Sequence, residues 1–541
     1  MANTVAQAFA LAARQHGQRP FVGLLPETAA IYGVPAGEIA YADAQAQIER
    51  LRQAYAAAGY GHGHRVGLQL ENRPAFFLHW FALNGLGVSV VPINADLRSA
   101  ELEYLVAHSE IALAIAPAAR HAVLRAAALV TGRALQVMGA DDAPPTAPFT
   151  APLASAPIGV RTECALLYTS GTTGQPKGCI LHNRYFLQAG AWYAGIGGLA
   201  RLHVGGERML TPLPLVHMNA MAYSTMAMVL TGGCLILLDR FHPSSWWASV
   251  RESRATVVHY LGVMPAMLMK AAAGAQDLQH AVRFGFGAGV DRSLHAPFER
   301  RFGFPLLEAW AMTETGAGAV VIANHEPRLT GSSCFGREGH DVQVRLVADS
   351  GAEPAVDEPG EMLVRHAGDD PRDGFFAGYL KDEAATAEAW ADGWFHTGDI
   401  VRRGADGQLH FIDRRKNVIR RSGENISAVE VESVLLQHPG VKAAAVAAVP
   451  DAIRGDEVLA CIVPAMPLAD GAARSVLATE LVAWCLARLA YFKAPGHVAF
   501  VEALPLTASQ KVQRGELKTL AAAMLGQPGC VDTQSLKRRP T

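Results

Sequence analysis

Hydrophobic and polar positions follow two patterns along this chain. Residues 42–57 repeat apolar side chains at helical spacing, which predicts an amphipathic helix. Residues 65–70 and 88–92 are short apolar runs that flank a second helical segment at residues 75–86. This order of strand, helix and strand predicts a βαβ unit with parallel strands.

Helices and short strands alternate along the rest of the chain, which predicts an α/β fold. Further helices are predicted at residues 5–16, 99–108, 428–437 and 478–490, and further strands at residues 165–168, 282–286, 409–412, 443–449 and 458–463. Residues 140–159 are rich in Ala and Pro and are predicted to be a loop or a connection between subdomains. Four charged residues at 413–416 follow a strand directly, which indicates an exposed boundary before a second domain.

Composition narrows the class of protein. The chain has 541 residues and a formal net charge of −2, so it has no general attraction to nucleic acid or to an anionic membrane. Its 7 cysteines include no Cys-x-x-Cys pair, which favours reduced thiols over disulfides or a zinc site. The N-terminus lacks the features of a signal peptide, and the longest apolar stretch, residues 221–238, is interrupted by two glycines. We therefore predict a cytoplasmic protein without a transmembrane segment, in which the basic tail Lys537-Arg538-Arg539 is solvated.

The clearest chemical signal is residues 168–178, which read Tyr-Thr-Ser-Gly-Thr-Thr-Gly-Gln-Pro-Lys-Gly. Glycines allow backbone N–H groups to approach an anion, hydroxyls add donors, and a lysine adds a mobile positive charge. These groups suit a polyphosphate, although an ordinary solvated turn has a similar composition. The nucleotide-hydrolase P-loop needs Gly-Lys-Ser/Thr, and this chain has Pro-Lys-Gly instead, so no helix is expected to start there.

The same string resembles the phosphate loop of the adenylate-forming superfamily, which includes acyl-CoA synthetases, luciferases and the adenylation domains of peptide synthetases. Other motifs of that superfamily follow in order: Trp-Ala-Met-Thr-Glu at 310–314, Trp-Phe-His-Thr-Gly-Asp at 394–399, Asp-Arg-Arg-Lys at 413–416, Gly-Glu-Asn-Ile at 423–426, and Leu-Pro-Leu-Thr at 504–507 with Lys511 and Arg514 after it. The resemblance extends from about Val5 to Leu517.

The resemblance implies an ATP-dependent acid–thiol ligase. Such an enzyme converts a carboxylic acid to acyl-AMP with release of pyrophosphate, and then transfers the acyl group to CoA. It also implies a large N-terminal domain of layered sheets and helices at residues 1–412, a hinge at 413–416, and a small mobile α+β C-terminal domain at 417–541 that carries the catalytic lysine. ATP, Mg²⁺ and coenzyme A are the implied cofactors, and a homodimer is one option for assembly. Two alternatives stay open, a free-standing enzyme that loads a carrier protein and a non-catalytic nucleotide- and acyl-binding protein.

Four residues are implied to take part in the chemistry. Lys511 would contact the α-phosphate and the carboxylate, although Gln510 stands where the family usually has glycine. Glu314 would bind Mg²⁺, Thr313 would donate to the α-phosphate, and His217 would form the gate between ATP and the acyl pocket. The plain alternatives are a solvated lysine, a paired or capping carboxylate and a structural histidine.

A larger set is implied to bind the nucleotide and CoA. It consists of Thr169, Ser170, Gly171, Thr172, Thr173, Gly174 and Lys177 in the phosphate loop, Gly287, Ala288 and Gly289 between the acyl group and adenine, Trp310, Ala311 and Met312 in the adenine wall, Asp399 and Arg414 at the ribose, and Gly423 beside the pantetheine arm. Trp310 and Ala311 replace the more usual tyrosine and glycine and make that wall bulkier. Arg420 and Arg421 either meet phosphates of CoA or form a solvated pair.

The identity of the carboxylic acid substrate is what the sequence determines least. The chain looks most like the crotonobetaine/carnitine and medium-chain branch of acyl-CoA ligases. The candidate acyl-contact residues are mostly apolar and include flexible methionines: His217, Met218, Asn219, Met221, Tyr260, Met264, Gly287 and Ala317. A cationic acid needs an acidic or aromatic cage, and the sequence identifies none, so a medium-chain, branched or cyclic acid is preferred.

Overall fold

The computed structural model describes residues 2–149, 156–169, 175–348, 350–414, 418–505, 512 and 514–537. Its α-helices are α1 Val5–His16, α2 Pro26–Tyr32, α3 Tyr41–Ala57, α4 Pro74–Asn84, α5 Ser99–Ser109, α6 Ala118–Thr131, α7 Asn183–Gly195, α8 Thr225–Thr231, α9 Trp246–Glu252, α10 Val263–Met269, α11 His295–Phe302, α12 Glu383–Ala389, α13 Ala428–Leu435, α14 Gly471–Leu486 and α15 Arg514–Met524.

The strands are β1 Pro20–Leu24, β2 Gly37–Ala40, β3 Arg65–Leu68, β4 Ser89–Pro92, β5 Leu113–Ile115, β6 Gln136–Met138, β7 Glu163–Thr169, β8 Lys177–His182, β9 Arg208–Thr211, β10 Cys234–Leu237, β11 Val257–Leu261, β12 Phe284–Ala288, β13 Leu306–Trp310, β14 Val321–Ile322, β15 Cys334–Gly336, β16 Val342–Val347, β17 Pro359–His366, β18 Gly378–Tyr379, β19 Phe395–Arg403, β20 Leu409–Arg414, β21 Val418–Arg421, β22 Glu424–Ser427, β23 Val441–Asp451, β24 Gly455–Pro464, β25 His497–Phe500 and β26 Cys530–Asp532.

The chain divides into two compact units. Unit 1 comprises residues 1–95, 106–167 and 178–413, and unit 2 comprises residues 96–105, 168–177 and 414–541. Residues 415–417, which include half of the expected hinge at 413–416, lie outside the described residues. The domain limits drawn from the sequence therefore stay a prediction.

Unit 1 is built on three sheets. An eight-stranded sheet has the order β14-β13-β12-β11-β9-β10-β1-β2, and a seven-stranded sheet has the order β18-β8-β7-β4-β3-β5-β6. In the third sheet, β15-β20-β19-β17-β16, the pairs β15–β20, β16–β17 and β17–β19 are antiparallel. β3 and β4 pair in parallel on either side of α4, which confirms the predicted βαβ unit.

Three parallel strands of the eight-stranded sheet end at the edge where the predicted site residues lie. β11, β12 and β13 run in parallel, and the register sets Tyr260 beside Gly287 and Gly287 beside Glu308. Because the carboxyl ends of parallel strands meet at one edge, the segments that follow these three strands are neighbours.

Unit 2 is a mixed sheet covered on both faces. The strand order is β22-β21-β24-β25-β26, and β23 also pairs with β24. Alternate residues of β23 face opposite sides: Ala444 and Val446 belong to a core cluster with α13 and α14, whereas Ala445 and Ala447 belong to one with α15. This period of two is what a strand buried on both faces requires.

The predicted element types are confirmed, although several of the predicted bounds differ from those observed. The predicted helix at 478–490 begins seven residues earlier, as α14 Gly471–Leu486, because Asp470 caps it by accepting a hydrogen bond from the Ala473 backbone N–H. The predicted strand at 282–286 is β12 Phe284–Ala288, so Gly287 and Ala288 belong to the strand rather than to a loop after it.

The long apolar stretch at residues 221–238 is folded into three short pieces. It covers most of a π-helical turn at Asn219–Ser224, then α8, a left-handed Gly232 with φ 65°, and β10. Among the helices that the structure describes, none has the length and apolar character needed to cross a bilayer.

Candidate active site

The phosphate loop lies between two strands. Thr169 ends β7 and Lys177 begins β8, so a strand follows the loop where a P-loop would have a helix. The Tyr104 hydroxyl donates to the Pro176 carbonyl at 2.9 Å and holds the end of the loop. The other predicted members, Ser170, Gly171, Thr172, Thr173 and Gly174, lie outside the described residues.

Two motifs that are far apart in sequence meet in unit 1. Trp310 ends β13, and its indole Nε1–H donates to the Asp399 carboxylate in β19 at 2.8 Å. Both side chains are buried. This bond joins the eight-stranded sheet to the antiparallel sheet, so the predicted adenine wall and the predicted ribose acceptor lie side by side.

Glu314 accepts a hydrogen bond from a tyrosine that was not among the residues predicted from the sequence. The Tyr379 hydroxyl donates to Glu314 Oε1 at 3.0 Å, and Glu314 is buried. Burial, assisted by Glu314, raises the pKa of Tyr379, so the hydroxyl stays protonated as a donor. Tyr185 donates to the Thr313 carbonyl at 3.0 Å and fixes the backbone beside Glu314. Tyr379 lies 65 residues from Glu314, and no local pattern links them.

The small residues predicted to lie against a flat ligand permit a close backbone contact. A Cβ at Gly262 would lie 1.6 Å from the Gly289 carbonyl oxygen, and one at Gly287 would lie 2.2 Å from the Tyr260 carbonyl oxygen. Gly289 itself has φ 80°, a conformation that side chains disfavour. Glycine is therefore required here for the strand ends to approach each other.

A buried carboxylate that the sequence analysis missed closes the same turn. Glu308 accepts hydrogen bonds from the backbone N–H groups of Gly289 at 2.9 Å and Val290 at 3.0 Å, and from the Tyr260 hydroxyl at 3.1 Å. Burial raises the pKa of Glu308. The signal in the sequence was an acidic residue inside an otherwise apolar strand, two positions before Trp310.

Replacing Glu308 with alanine is expected to destabilise unit 1. Three donors would lose their acceptor, and for this loss we expect the free energy of unfolding to fall by about 2–4 kcal/mol. Removal of a buried carboxylate also removes its desolvation cost, which offsets part of the fall. Urea unfolding monitored by tryptophan fluorescence measures the change. Tyr260→Phe removes only one of the three bonds and should cost about 1 kcal/mol. If the Glu308→Ala variant unfolds at the urea concentration of the unaltered protein, the carboxylate does not hold this turn.

His217 precedes an unusual helical turn. It lies two residues before the start of the π-helical segment Asn219–Ser224 and is half-buried, and its carbonyl accepts from the Met221 backbone N–H at 3.0 Å. π-Helical turns occur often at functional sites because they re-aim side chains. Of the other candidate acyl-contact residues, Met218 and Asn219 are half-buried, and Met221, Tyr260, Met264 and Ala317 are buried.

A polar network behind this segment was also missed. His259 is fully buried, and burial lowers its pKa to about 3. Its Nδ1 lies 2.6 Å from Asn219 Oδ1 and its Nε2 lies 3.0 Å from the Tyr193 hydroxyl. A neutral histidine that donates to Asn219 and accepts from Tyr193 satisfies both contacts. His259 also stacks on Phe286 with ring centroids 4.9 Å apart, so the network fixes one side of the candidate acyl region.

Unit 2 contains the remaining predicted residues. Gly423 has φ 88° in the turn between β21 and β22, and Arg414 ends β20. Lys511 lies outside the described residues. Arg514, which follows it, begins α15 and makes two hydrogen bonds to the Glu432 carboxylate at 2.6 and 2.8 Å.

Two expectations about charges in unit 2 are wrong. Arg421 neither faces solvent nor is available to a phosphate, because it is buried against Glu457, with Nε 2.8 Å from Oε2. Lys537 is likewise not part of a solvated tail, because its side chain is buried and bonded to the same Glu457. Lone charges cannot be buried without a partner, and Glu457 supplies one for both.

Comparison with known proteins identifies the family to which this chain belongs. The model of the AMP-binding enzyme family matches residues 11–380, and the model of the AMP-binding enzyme C-terminal domain matches residues 430–511. The chain belongs to the AMP-binding enzyme family. A feruloyl-CoA synthase from Amycolatopsis sp is 34% identical over 493 residues, which cover 89% of this chain and 93% of the relative. A crotonobetaine/carnitine–CoA ligase from Salmonella typhimurium is 29% identical over 498 residues, with 89% and 93% covered.

Solved structures of AMP-binding enzymes share the fold. A malonyl-CoA ligase with methylmalonyl-CoA and AMP bound is 27% identical with a TM-score of 0.71, and covers 90% of this chain and 97% of its own. An o-succinylbenzoate CoA synthetase from Bacillus subtilis is 24% identical with a TM-score of 0.79, and covers 95% and 98%. The predicted family, the α/β fold class and the enzyme class, an AMP-forming acyl-CoA synthetase, are confirmed.

Proposed function

We propose that this protein activates a ring-containing carboxylic acid without a cationic group as acyl-AMP and transfers the acyl group to coenzyme A. The observation that carries the proposal is the bond between Trp310 and Asp399, which brings two predicted nucleotide motifs together, with Glu314 four residues further on. In the first step a carboxylate oxygen would attack the α-phosphorus and pyrophosphate would leave. In the second step a thiolate would attack the acyl carbon and AMP would leave.

Each described residue has a role that its surroundings permit. The Asp399 oxygen atoms would accept from the ribose hydroxyls, because the carboxylate is already oriented by Trp310. The close-packed backbone at Gly287 and Gly289 would let adenine and the acyl group lie flat. Thr313, fixed through its carbonyl by Tyr185, would donate to the α-phosphate.

Glu314 fits Mg²⁺ as a single carboxylate ligand. Mg²⁺ is usually bound by one or two carboxylates together with substrate phosphates and water, and the Glu314 carboxylate is fixed by Tyr379. In the described part of the chain no cluster of three His, Cys, Asp or Glu side chains could hold a metal alone. When bound, the ion would neutralise phosphate charge that Glu314 cannot.

The phosphate loop and Lys511 would supply positive charge and donors to the transferring group. Both reactants are anionic, so this electrostatic contribution accounts for much of the expected acceleration. Rotation of the C-terminal domain would then withdraw Lys511 and present Gly423 to the thiol, so that one site would serve both steps.

Aromatic side chains around the candidate acyl region support a ring-containing acid. Phe286 lies 4.8 Å from Tyr193 between ring centroids, and Trp192 lies 5.4 Å from Tyr223. Of these four rings Trp192 is the partly exposed one, and planar acids gain from contact with an aromatic surface. The relative from Amycolatopsis is a feruloyl-CoA synthase, which also supports an aromatic acid.

A panel of acids tests the proposal. Cinnamic, benzoic and cyclohexanecarboxylic acids would be compared with octanoate and with a quaternary-ammonium acid, by pyrophosphate release and then by thioester formation with CoA. We expect the ring-containing acids to give the highest kcat/KM. Preference for octanoate or for the cationic acid would contradict the assignment of the acid, and absence of turnover with every acid would contradict the activity. Acyl transfer to a carrier protein but not to CoA would instead favour the carrier-loading alternative.

The 7 cysteines are free thiols, which supports a cytoplasmic location for the protein. The homodimer stays a prediction.

A further inference from the structure

The C-terminal segment, residues 530–537, is fastened to the sheet of unit 2. Its strand β26 pairs antiparallel with β25, and Asp532 lies opposite His497. Immediately after β26, the Thr533 backbone N–H donates to the Gly496 carbonyl at 2.9 Å, and its hydroxyl donates to the Pro495 carbonyl at 2.9 Å. The segment is therefore an integral edge of the domain rather than a loose tail.

At the end of this segment, Lys537 binds the buried carboxylate of Glu457. Lys537 Nζ donates to Glu457 Oε1, and both side chains have 0% exposure. The other oxygen of Glu457 accepts from Arg421 Nε at 2.8 Å. One carboxylate thus binds two basic side chains from distant parts of the chain, and loss of either would leave the carboxylate freer to move relative to the other.

Arg421 borders the turn that contains Gly423. Arg421 ends β21 and pairs with Glu424 across the turn, so Ser422 and Gly423 form a two-residue hairpin connection. Both turn residues have positive φ, 50° and 88°. The Ser422 N–H donates to the Arg454 carbonyl at 2.9 Å. The strained Ser422 conformation persists only while the surrounding contacts hold it.

We propose that Lys537 is a positioning residue for the thioester-forming half-reaction, acting through Glu457 and Arg421 on the Gly423 turn. This inference rests on the proposed function, in which Gly423 would pass beside the pantetheine arm of CoA. A turn held in one conformation offers the thiol a preformed path, whereas a turn with several conformations lowers the fraction of molecules that can accept it.

The test replaces Lys537 with methionine, which has similar length and no charge. Glu457 keeps Arg421 as its partner, so no unpaired buried charge is created. We expect the KM for CoA in acyl transfer from a pre-made acyl-adenylate to rise about 5- to 10-fold. Acid-dependent pyrophosphate release should change by less than about 2-fold. Lys442→Met removes an exposed lysine of the same domain and is the matched control.

Hydrogen exchange provides a readout that does not need activity. Amide exchange in residues 418–427 should be faster in the Lys537→Met variant and unchanged in the Lys442→Met variant. Gln534→Ala, a milder change that removes contacts of the C-terminal segment to His497 and Arg454, should give the same result to a lesser degree.

The outcomes separate this inference from the proposed function. Exchange and KM for CoA equal to those of the unaltered protein would overturn the inference, as would an equal loss in both half-reactions. If the unaltered protein released no pyrophosphate with any acid, the proposed function would fail, and unchanged exchange in residues 418–427 would still overturn the link from Lys537 to the turn.

Discussion

Replacing Lys511 with alanine is expected to lower the rate of acid-dependent pyrophosphate release by about 10²- to 10³-fold. The lysine would place a full positive charge beside the α-phosphate, where negative charge develops, whereas Thr313 would supply only a neutral donor. Arg514, bonded to Glu432, ties the chain just after Lys511 to the core of unit 2, so the substitution should leave the domain folded. Pyrophosphate release in the presence of the preferred acid measures the effect.

The second half-reaction distinguishes a catalytic lysine from a structural one. Transfer from a synthetic acyl-adenylate to CoA should stay within about 2-fold of the unaltered rate, because Lys511 is expected to be withdrawn in that step. Lys442→Ala serves as the control for removing a lysine from this domain. Equal losses in both half-reactions would contradict domain alternation in this chain.

Replacing Asp399 with alanine is expected to raise the KM for ATP about 10- to 100-fold. Hydrogen bonds to a charged acceptor contribute more than neutral ones, and the two ribose hydroxyls would lose such an acceptor. The KM for the acid should change much less, because Asp399 is assigned to the nucleotide. Steady-state kinetics with ATP and with the acid as varied substrates would measure both.

Two comparisons test whether Asp399 acts on the ribose or only holds Trp310. Trp310→Phe keeps a ring and removes the N–H that donates to Asp399, so its effect should be several-fold smaller. An AMP analogue without ribose hydroxyls should bind the Asp399→Ala variant and the unaltered protein equally. A difference between them for this analogue, or equal effects of the two substitutions, would indicate a structural role for Asp399.

Much of the fold follows from local pattern. The βαβ unit around α4 and the strand character of β23 were predicted, because short apolar runs and helical spacing identify the type of each element. The burial of β23 on both faces was seen only in the structure. Boundaries were less predictable: α14 begins at a cap, Asp470, and the prediction placed the start well inside the helix. Local capping competes with hydrophobic periodicity at helix ends.

The candidate site shows the same division. The residue types that suit a nucleotide, such as Asp399 and Glu314, were identifiable from motifs. Their partners were not, since Trp310 donates to Asp399 across 89 residues and Tyr379 donates to Glu314 across 65. Such partners depend on which sheets and strands become neighbours.

By itself the sequence determined the kind of each element, the chemistry offered by its motifs and the family to which the chain belongs. Only the tertiary structure decided which charged side chains are buried and what they bind. Glu308 accepts hydrogen bonds that close a turn, and Arg421 and Lys537, which the sequence suggested as surface charges, both bind the buried Glu457. The physical reason is that periodicity acts over a few residues, whereas the burial of a charge depends on distant segments that pack over it and supply its partner.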